Sequence, residues 1–136
     1  MTGETVTIVL PLPPRVLSPN HMVGSRRGRF AKAAAARKYR EIAREATLAT
    51  GVESGPWEHA TIQATFYHAT RRRRDDVNAL ASLKPAYDGI VDAGLIEDDD
   101  SKHLTTLPAG FGLDKTCPRV ELKIGWIACR DGSTNG

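Results

Sequence analysis

Residues 59–94, HATIQATFYHATRRRRDDVNALASLKPAYDGIVDAG, change their hydrophobic period half-way, and that change decides the fold class. From His59 to Ala69 the residues Ile62, Ala64, Phe66 and His68 fall on one side of a two-residue repeat, the pattern of a half-buried strand. Beyond the charged run, Leu80, Leu83, Tyr87 and Ile90 or Val91 recur at steps of three and four, the stripe of a helix. Pro85 lacks an amide proton and suits a first helical turn better than an interior one. The main helix is therefore expected to start near Lys84, after a separate short turn at Asn78–Leu83, with Gly94 closing it. Between strand and helix stand Arg71 to Arg74 and then Asp75 and Asp76. Adjacent like charges are costly in a folded domain unless a partner offsets them, so this junction asks what the groups face.

Working outward, Val6, Ile8 and Leu10 alternate in TVTIVLPLPP (5–14) before prolines that cannot continue a ladder, which reads as a first strand and an extended loop. SPNHMVGSRRGRF (18–30) is rich in turn formers and reads as a basic loop carrying Arg26, Arg27 and Arg29. From Ala31 to Ala49 the spacing is helical, with Ala35, Tyr39, Ile42, Ala46 and Ala49 as one apolar stripe and Gly51 as the stop. LIEDDDSKHLTTLP (95–108) contains four consecutive acids and a short strand, GFGLDKTCP (110–118) is a loop, and RVELKIGWI (119–127) alternates as a last strand. The expectation is one α/β (α+β) domain over residues 1–128, a small mixed sheet with helices packed on it in the order β-α-β-α-β-β. Residues 129–136 are expected to form a frayed tail.

The 136 residues suffice for one buried core, and no stretch approaches the roughly 18 apolar residues of a membrane helix. The N-terminus has no basic region ahead of an apolar one, so a cytoplasmic protein is expected. Cys117 and Cys129 have no metal-ligand spacing and read as free thiols rather than as a disulfide. Charge is divided along the chain. Residues 1–74 hold 13 Lys/Arg against 5 Asp/Glu, and residues 75–136 hold 6 against 11, which suggests a polyanion-binding surface beside an acidic centre.

Asp75 and Asp76 in one cluster and Asp98, Asp99 and Asp100 in another supply the oxygen ligands that Mg²⁺ takes, in a pattern shared by solvated acidic turns. Arginines beside such acids add phosphate affinity. Lys84 and Asp88, four apart on a helix, form either a surface ion pair or a lysine aimed at a phosphate. His21, His59, His68 and His103 lack zinc-binding spacing, Ser101 and Cys117 lack a nucleophile motif, and no phosphate-binding loop of an NTPase is present.

Together these stretches resemble the RusA-type family of Holliday-junction resolvases over nearly the whole chain. The resemblance rests on TIVLPLPP, RKYREIARE, RRRRDDVN, LKPAYDGIVDAGLIEDDDSKHL and RVELKI. It implies a RusA-like fold and a homodimer that cleaves four-way junctions or other branched DNA with Mg²⁺, for which Mn²⁺ can substitute, in phage or bacterial recombination and repair. Asp75 then matches the first metal ligand, Asn78 the motif asparagine, Lys84 the catalytic lysine and Asp100 the distal ligand. Asp99 is its neighbour, with the register among Asp98, Asp99 and Asp100 open by one. Val77 falls where the family places a second Asp; Asp76 is the nearest substitute, although neighbours on an extended chain point opposite ways. The interval from Asn78 to Lys84 is about three residues longer than the family pattern.

The reading that follows gives catalysis to Asp75, Lys84 and Asp100, the metal to Asp75, Asp76, Asp99 and Asp100, and the DNA to Arg71, Arg72, Arg73, Arg74, Arg26, Arg27, Arg29, Asn78 and Lys102. No nucleotide cofactor and no membrane partner are expected. The alternative is a catalytically silent DNA-binding protein of the same fold, Val77 having removed a ligand.

Overall fold

The computed structural model describes residues 2–18, 24–70 and 76–127, with backbone alone for residues 2, 3, 76 and 77. The strand expected at 59–69 is β2 (Ala60–His68), and it occupies the centre of the sheet. On one side it pairs antiparallel with β5 (Arg119–Ile127), from Ala60 opposite Trp126 to Tyr67 opposite Arg119. β5 in turn pairs antiparallel with β1 (Thr2–Leu10), whose register shifts between Thr2 and Thr5. On its other side β2 takes two short parallel strands end to end. These are β3 (Leu104–Thr106), opposite Ala60–Ile62, and β4 (Gly110–Leu113), opposite Thr65–His68. The architecture is the expected mixed α+β, with β4 added where a loop was expected. GFGL has too little alternating apolar character to be seen as a strand, and its pairing with β2 makes it one.

One face of the sheet is apolar. Val6, Ile8 and Leu10 of β1, Val120, Leu122 and Ile124 of β5, and Ala60, Ile62, Ala64 and Phe66 of β2 are all buried. Against this face lie α1 (Arg26–Ala49) and α3 (Lys84–Asp92), with the shorter α2 (Asp76–Ala81) between β2 and α3. The turn expected at 78–83 is thus mostly helix, and the restart at Lys84 places Pro85 in the first turn, where its missing amide costs no hydrogen bond. α1 begins five residues earlier than its periodicity suggested. Ser25 is the cap, its side chain accepting from Gly28 N at 3.0 Å, so Arg26, Arg27 and Arg29 belong to the first turns of a helix and not to a loop. Its buried line is Tyr39, Ala43 and Thr47; of the expected stripe Tyr39 is on that line, and Ala35, Ile42 and Ala46 pack partly buried beside it.

The α1–α3 seam closes tightly because Gly89 lacks a side chain: a Cβ there would meet the Arg40 carbonyl oxygen at 2.1 Å. Arg40 spans the same seam to Asp92 with two hydrogen bonds of 2.6 and 2.9 Å. Tyr39 donates its hydroxyl to the Pro11 carbonyl at 2.7 Å and ties the loop after β1 to α1; burial, and then Tyr87, push its phenol upward. Gly94 ends the α3 segment at a positive φ of 88°, and the chain turns into the acidic segment. Cys117 is exposed and free; Cys129 and the expected tail lie outside the described residues. Among the described residues no helix is long and apolar enough to cross a membrane.

Candidate functional site

The four acids Glu97–Asp100 occupy a turn held at both ends by the start of β2. On one side Trp57 N donates to Leu95 O at 2.7 Å and Glu97 N to Trp57 O at 3.0 Å; on the other Ala60 N donates to His103 O at 2.9 Å. Trp57 makes the first tie rigid. It is 1% exposed, stacks on Trp126 with ring centroids 5.9 Å apart, and donates its indole N–H to Ser54. A turn fixed this way can hold like charges close together, because the backbone rather than the side chains sets their spacing.

Within the turn neighbouring carboxylates take different partners. Asp98 Oδ1 accepts from the amide of Asp99 at 2.7 Å. Asp100 Oδ1 accepts from the amides of Lys102 and His103 at 3.0 and 3.1 Å and lies 2.7 Å from His103 Nδ1. The His103 contact is the main reason the Asp100 carboxyl titrates below its ordinary value. Reciprocally, Asp100 holds the His103 imidazolium above its ordinary value, with the charges of Glu97 and Asp98 adding to the effect. Ligand atoms of Asp98, Asp100 and His103 all lie within 4.8 Å of one another, a spacing that one cation can bridge. Two carboxylates and an imidazole form a donor set that suits Mn²⁺ and admits Mg²⁺ with its retained waters.

Asp99 faces the other way, toward α3. Its Oδ2 accepts from Lys84 Nζ at 2.6 Å, and the same ammonium donates to Asp88 Oδ1 at 3.0 Å. Asp99 is the main cause of the upward shift of the Lys84 ammonium. The Lys84 side chain is 61% exposed while that of Asp99 is 12% exposed, so an exposed ammonium meets a largely buried carboxylate. Three residues along α3 from Lys84, the Tyr87 hydroxyl is buried with no hydrogen-bond partner among the described residues. Burial pushes this phenol upward, and the negative charge of Asp99 adds to it.

The structure places Lys84 against Asp99 and joins it to Asp88, the surface ion pair that helical spacing offers. It turns Asp100 toward His103, which sequence reasoning set aside with the other histidines. The i, i+3 spacing of Asp100 and His103 was the available signal. Arg71, Arg72, Arg73, Arg74 and Asp75 lie outside the described residues. Asp76 and Val77 open α2, so the two-fold alternation of an extended chain does not apply to them. Asn78 is half-buried in α2 and its carbonyl accepts from Ser82 N at 3.2 Å. Lys102 is exposed in the acidic turn, and Arg26, Arg27 and Arg29 are exposed at the start of α1, with the Arg26 guanidinium 6.0 Å from the Phe30 ring centre.

The strand directions add a constraint. The acidic turn adjoins the N-terminal end of β2, whereas the chain leaves β2 toward the arginines at its C-terminal end, where Asp114 N donates to His68 O. Nine strand residues separate these ends by about 27 Å.

No protein-family model matches this chain. A curated protein of Xylella fastidiosa (strain Temecula1 / ATCC 700964), described as an uncharacterized protein, is 37% identical over 93 residues, which are 68% of this chain and 60% of that protein. The chain therefore spans less than two thirds of the length of the relative it matches.

Proposed function

We propose that this protein is a Mg²⁺-dependent endodeoxyribonuclease of the RusA type that acts as a homodimer on four-way junctions or similar branched DNA. The observation that carries the reading is the meeting of Lys84 with the acidic turn: a lysine 2.6 Å from Asp99, beside the clustered ligand atoms of Asp98, Asp100 and His103. In this reading Asp100 and Asp99, with Asp98 and His103 adjoining them, hold the metal together with Asp75 and Asp76. The bound ion supplies Lewis-acid polarisation of a phosphate and a more acidic water. Lys84 offsets the negative charge that grows on the phosphate in the transition state. Arg71 to Arg74, with Arg26, Arg27, Arg29, Asn78 and Lys102, bind the sugar-phosphate backbone, contacts that position DNA without reading its sequence.

The test is cleavage of a synthetic four-way junction beside a matched linear duplex, with Mg²⁺ and with EDTA. Paired, Mg²⁺-dependent nicks in the junction alone are expected. Tight junction binding without nicks in Mg²⁺ or Mn²⁺ selects the second reading, a silent junction-binding protein. Val77 favours that alternative, because it stands where the resembled family places an acidic ligand. Asp100→Asn separates the two: the nuclease loses turnover and still binds, while the binder keeps or improves its affinity.

A further inference from the structure

We infer that the N-terminal half of α1, residues 26–38, enters the major groove of a duplex DNA arm, a mode of binding that rests on the DNA-directed reading above and extends it to Phe30, Lys32, Arg37 and Lys38. The two halves of α1 treat charge differently. In the C-terminal half, Arg40 pairs with Asp92 and Arg44 with Glu41. Residues 26–38 hold six cations, Arg26, Arg27, Arg29, Lys32, Arg37 and Lys38, and no acid. None of the six has an ion-pair partner among the described residues, and all but Lys32 are exposed. Helix stability does not account for them. The partial positive charge of a helix N-terminus disfavours arginine in the first turn, and α1 has no acid there. Nor does packing: Tyr39, Ala43 and Thr47 are buried along one row of the helix, and the same row runs back through Ala36 to Lys32. At Lys32 the row changes from apolar to cationic, and no residue from 26 to 34 packs against the core.

The cations point in three directions. At about 100° per residue, Arg26 and Arg37 share one direction, Arg27 and Lys38 a second, and Arg29 and Lys32 lie on a third side. A flat polyanion would meet cations on one side only. Cations on three sides suit a partner that encloses the helix, as the two phosphate walls of a DNA groove do. Six of the seven other residues are glycine or alanine, so the helix is thin and its long basic side chains reach both walls. The segment rises about 20 Å, and the major groove of B-form DNA, about 12 Å wide, admits an α-helix. Phe30, 66% exposed, is the large apolar side chain of the segment and offers an edge to a thymine methyl group. An anionic bilayer would instead require an apolar face opposite the cations.

The test is binding of the full chain to a DNA duplex of about two helical turns, read by fluorescence anisotropy over a salt series and by protection from dimethyl sulfate. Guanine N7 lies in the major groove and adenine N3 in the minor, so the reagent reports which groove is filled. The wild type is expected to protect N7 and not N3. The triple variant Lys32→Ala, Arg37→Ala and Lys38→Ala should bind about thirtyfold more weakly and lose the N7 protection. Its plot of log K against log salt should be shallower by about 2.7, the loss of three phosphate contacts. Alanine favours helix, so an unchanged circular dichroism spectrum separates this loss from unfolding. An RNA duplex of the same sequence, whose major groove is too narrow to enter, should bind weakly. An unchanged salt slope in the triple variant, protection of N3 alone, equal affinity for the RNA duplex, or tighter binding to vesicles of anionic lipid overturns the groove assignment. Junction cleavage with Mg²⁺ beside any of these leaves the nuclease reading standing. Protection of N7 by a protein that cleaves nothing in Mg²⁺ or Mn²⁺ supports the groove assignment and fails the nuclease. Absence of DNA binding by the wild type overturns both.

Discussion

The two ends of α3 use charge in opposite ways. At its C-terminal end, Gly89 lets the backbone of α1 approach, and Arg40 meets Asp92 in a two-point pair, with Asp88 4.0 Å from the same guanidinium. At its N-terminal end, Lys84 meets a turn with four consecutive acids, and the described neighbours that answer them are Lys84 and the imidazole of His103. Matched charge at a closed seam has nothing further to bind. Surplus negative charge held by a rigid turn retains affinity for a cation, and its cost is borne by the backbone ties at Trp57 and Ala60. Nine residues of helix therefore join a structural contact to a candidate site.

If the contrast is right, the C-terminal end of α3 should fail in stability and the N-terminal end in chemistry. The largest effect belongs to Gly89→Ala. Its new methyl group would sit 2.1 Å from a backbone oxygen that cannot rotate away, so α1 and α3 must separate. A loss of about 3 kcal/mol in urea unfolding is expected, at the upper end of overpacking costs. A loss under about 1 kcal/mol would show that the seam has slack.

Next comes Asp100→Asn, expected to lower junction cleavage about a hundredfold, as losing a ligand or its support does, while DNA binding persists. Its stability effect should be the smaller of the two, because Asn still accepts from the amides of Lys102 and His103. If this variant unfolds as readily as Gly89→Ala, the turn is a structural element and the contrast fails.

A smaller effect depends on pH. The folded-state pKa of His103 is raised, so its contribution to stability is complete below the unfolded imidazole value and is lost as pH rises through the folded value. Asp100 is depressed, so its contribution is present above the unfolded carboxyl value and is lost as pH falls through the folded one. The pair stabilises most between the two unfolded values, roughly pH 4 to 6.5. Thermal melts of the wild type and His103→Gln should therefore differ most near pH 5 and converge as the pH rises through the folded imidazole value. A difference that grows with pH would contradict the His103–Asp100 pairing.

How much of this was legible in the sequence depends on how local each cause is. β2 and β5 were readable because alternation directly records one buried face, and the restart at Lys84 because Pro85 has few other helical positions. The start of α1 was obscured by glycine and arginines around the Ser25 cap, and β4 exists only through its pairing with β2. In the site, the Lys84–Asp88 contact follows from helical spacing, whereas the Lys84–Asp99 contact depends on how Gly94 and the Trp57 tie return the chain. No local pattern specifies that return. Nor could sequence show that Asp99 and Asp100 separate toward different partners, which decides which carboxylate meets the lysine.

The smallest expected effect asks whether charge or shape holds the C-terminal end of α3. Asp92→Asn removes the anion facing Arg40 while keeping nearly the same volume and one acceptor oxygen. Both side chains are partly exposed, so the pair is screened by salt and its rigid geometry costs side-chain freedom. The melting temperature should fall far less than in Gly89→Ala, and the difference from wild type should disappear in about 1 M NaCl. Arg40 holds the Asp92 carboxyl below its ordinary value, so whatever the pair contributes is present above the unfolded carboxyl pKa and lost as pH falls through the folded one. A salt-insensitive loss as large as that of Gly89→Ala would mean that charge closes this seam as well. The two ends of α3 would then differ only in the number of acids each collects, and the surplus of acids facing Lys84 would remain the feature that marks one of them as a candidate site.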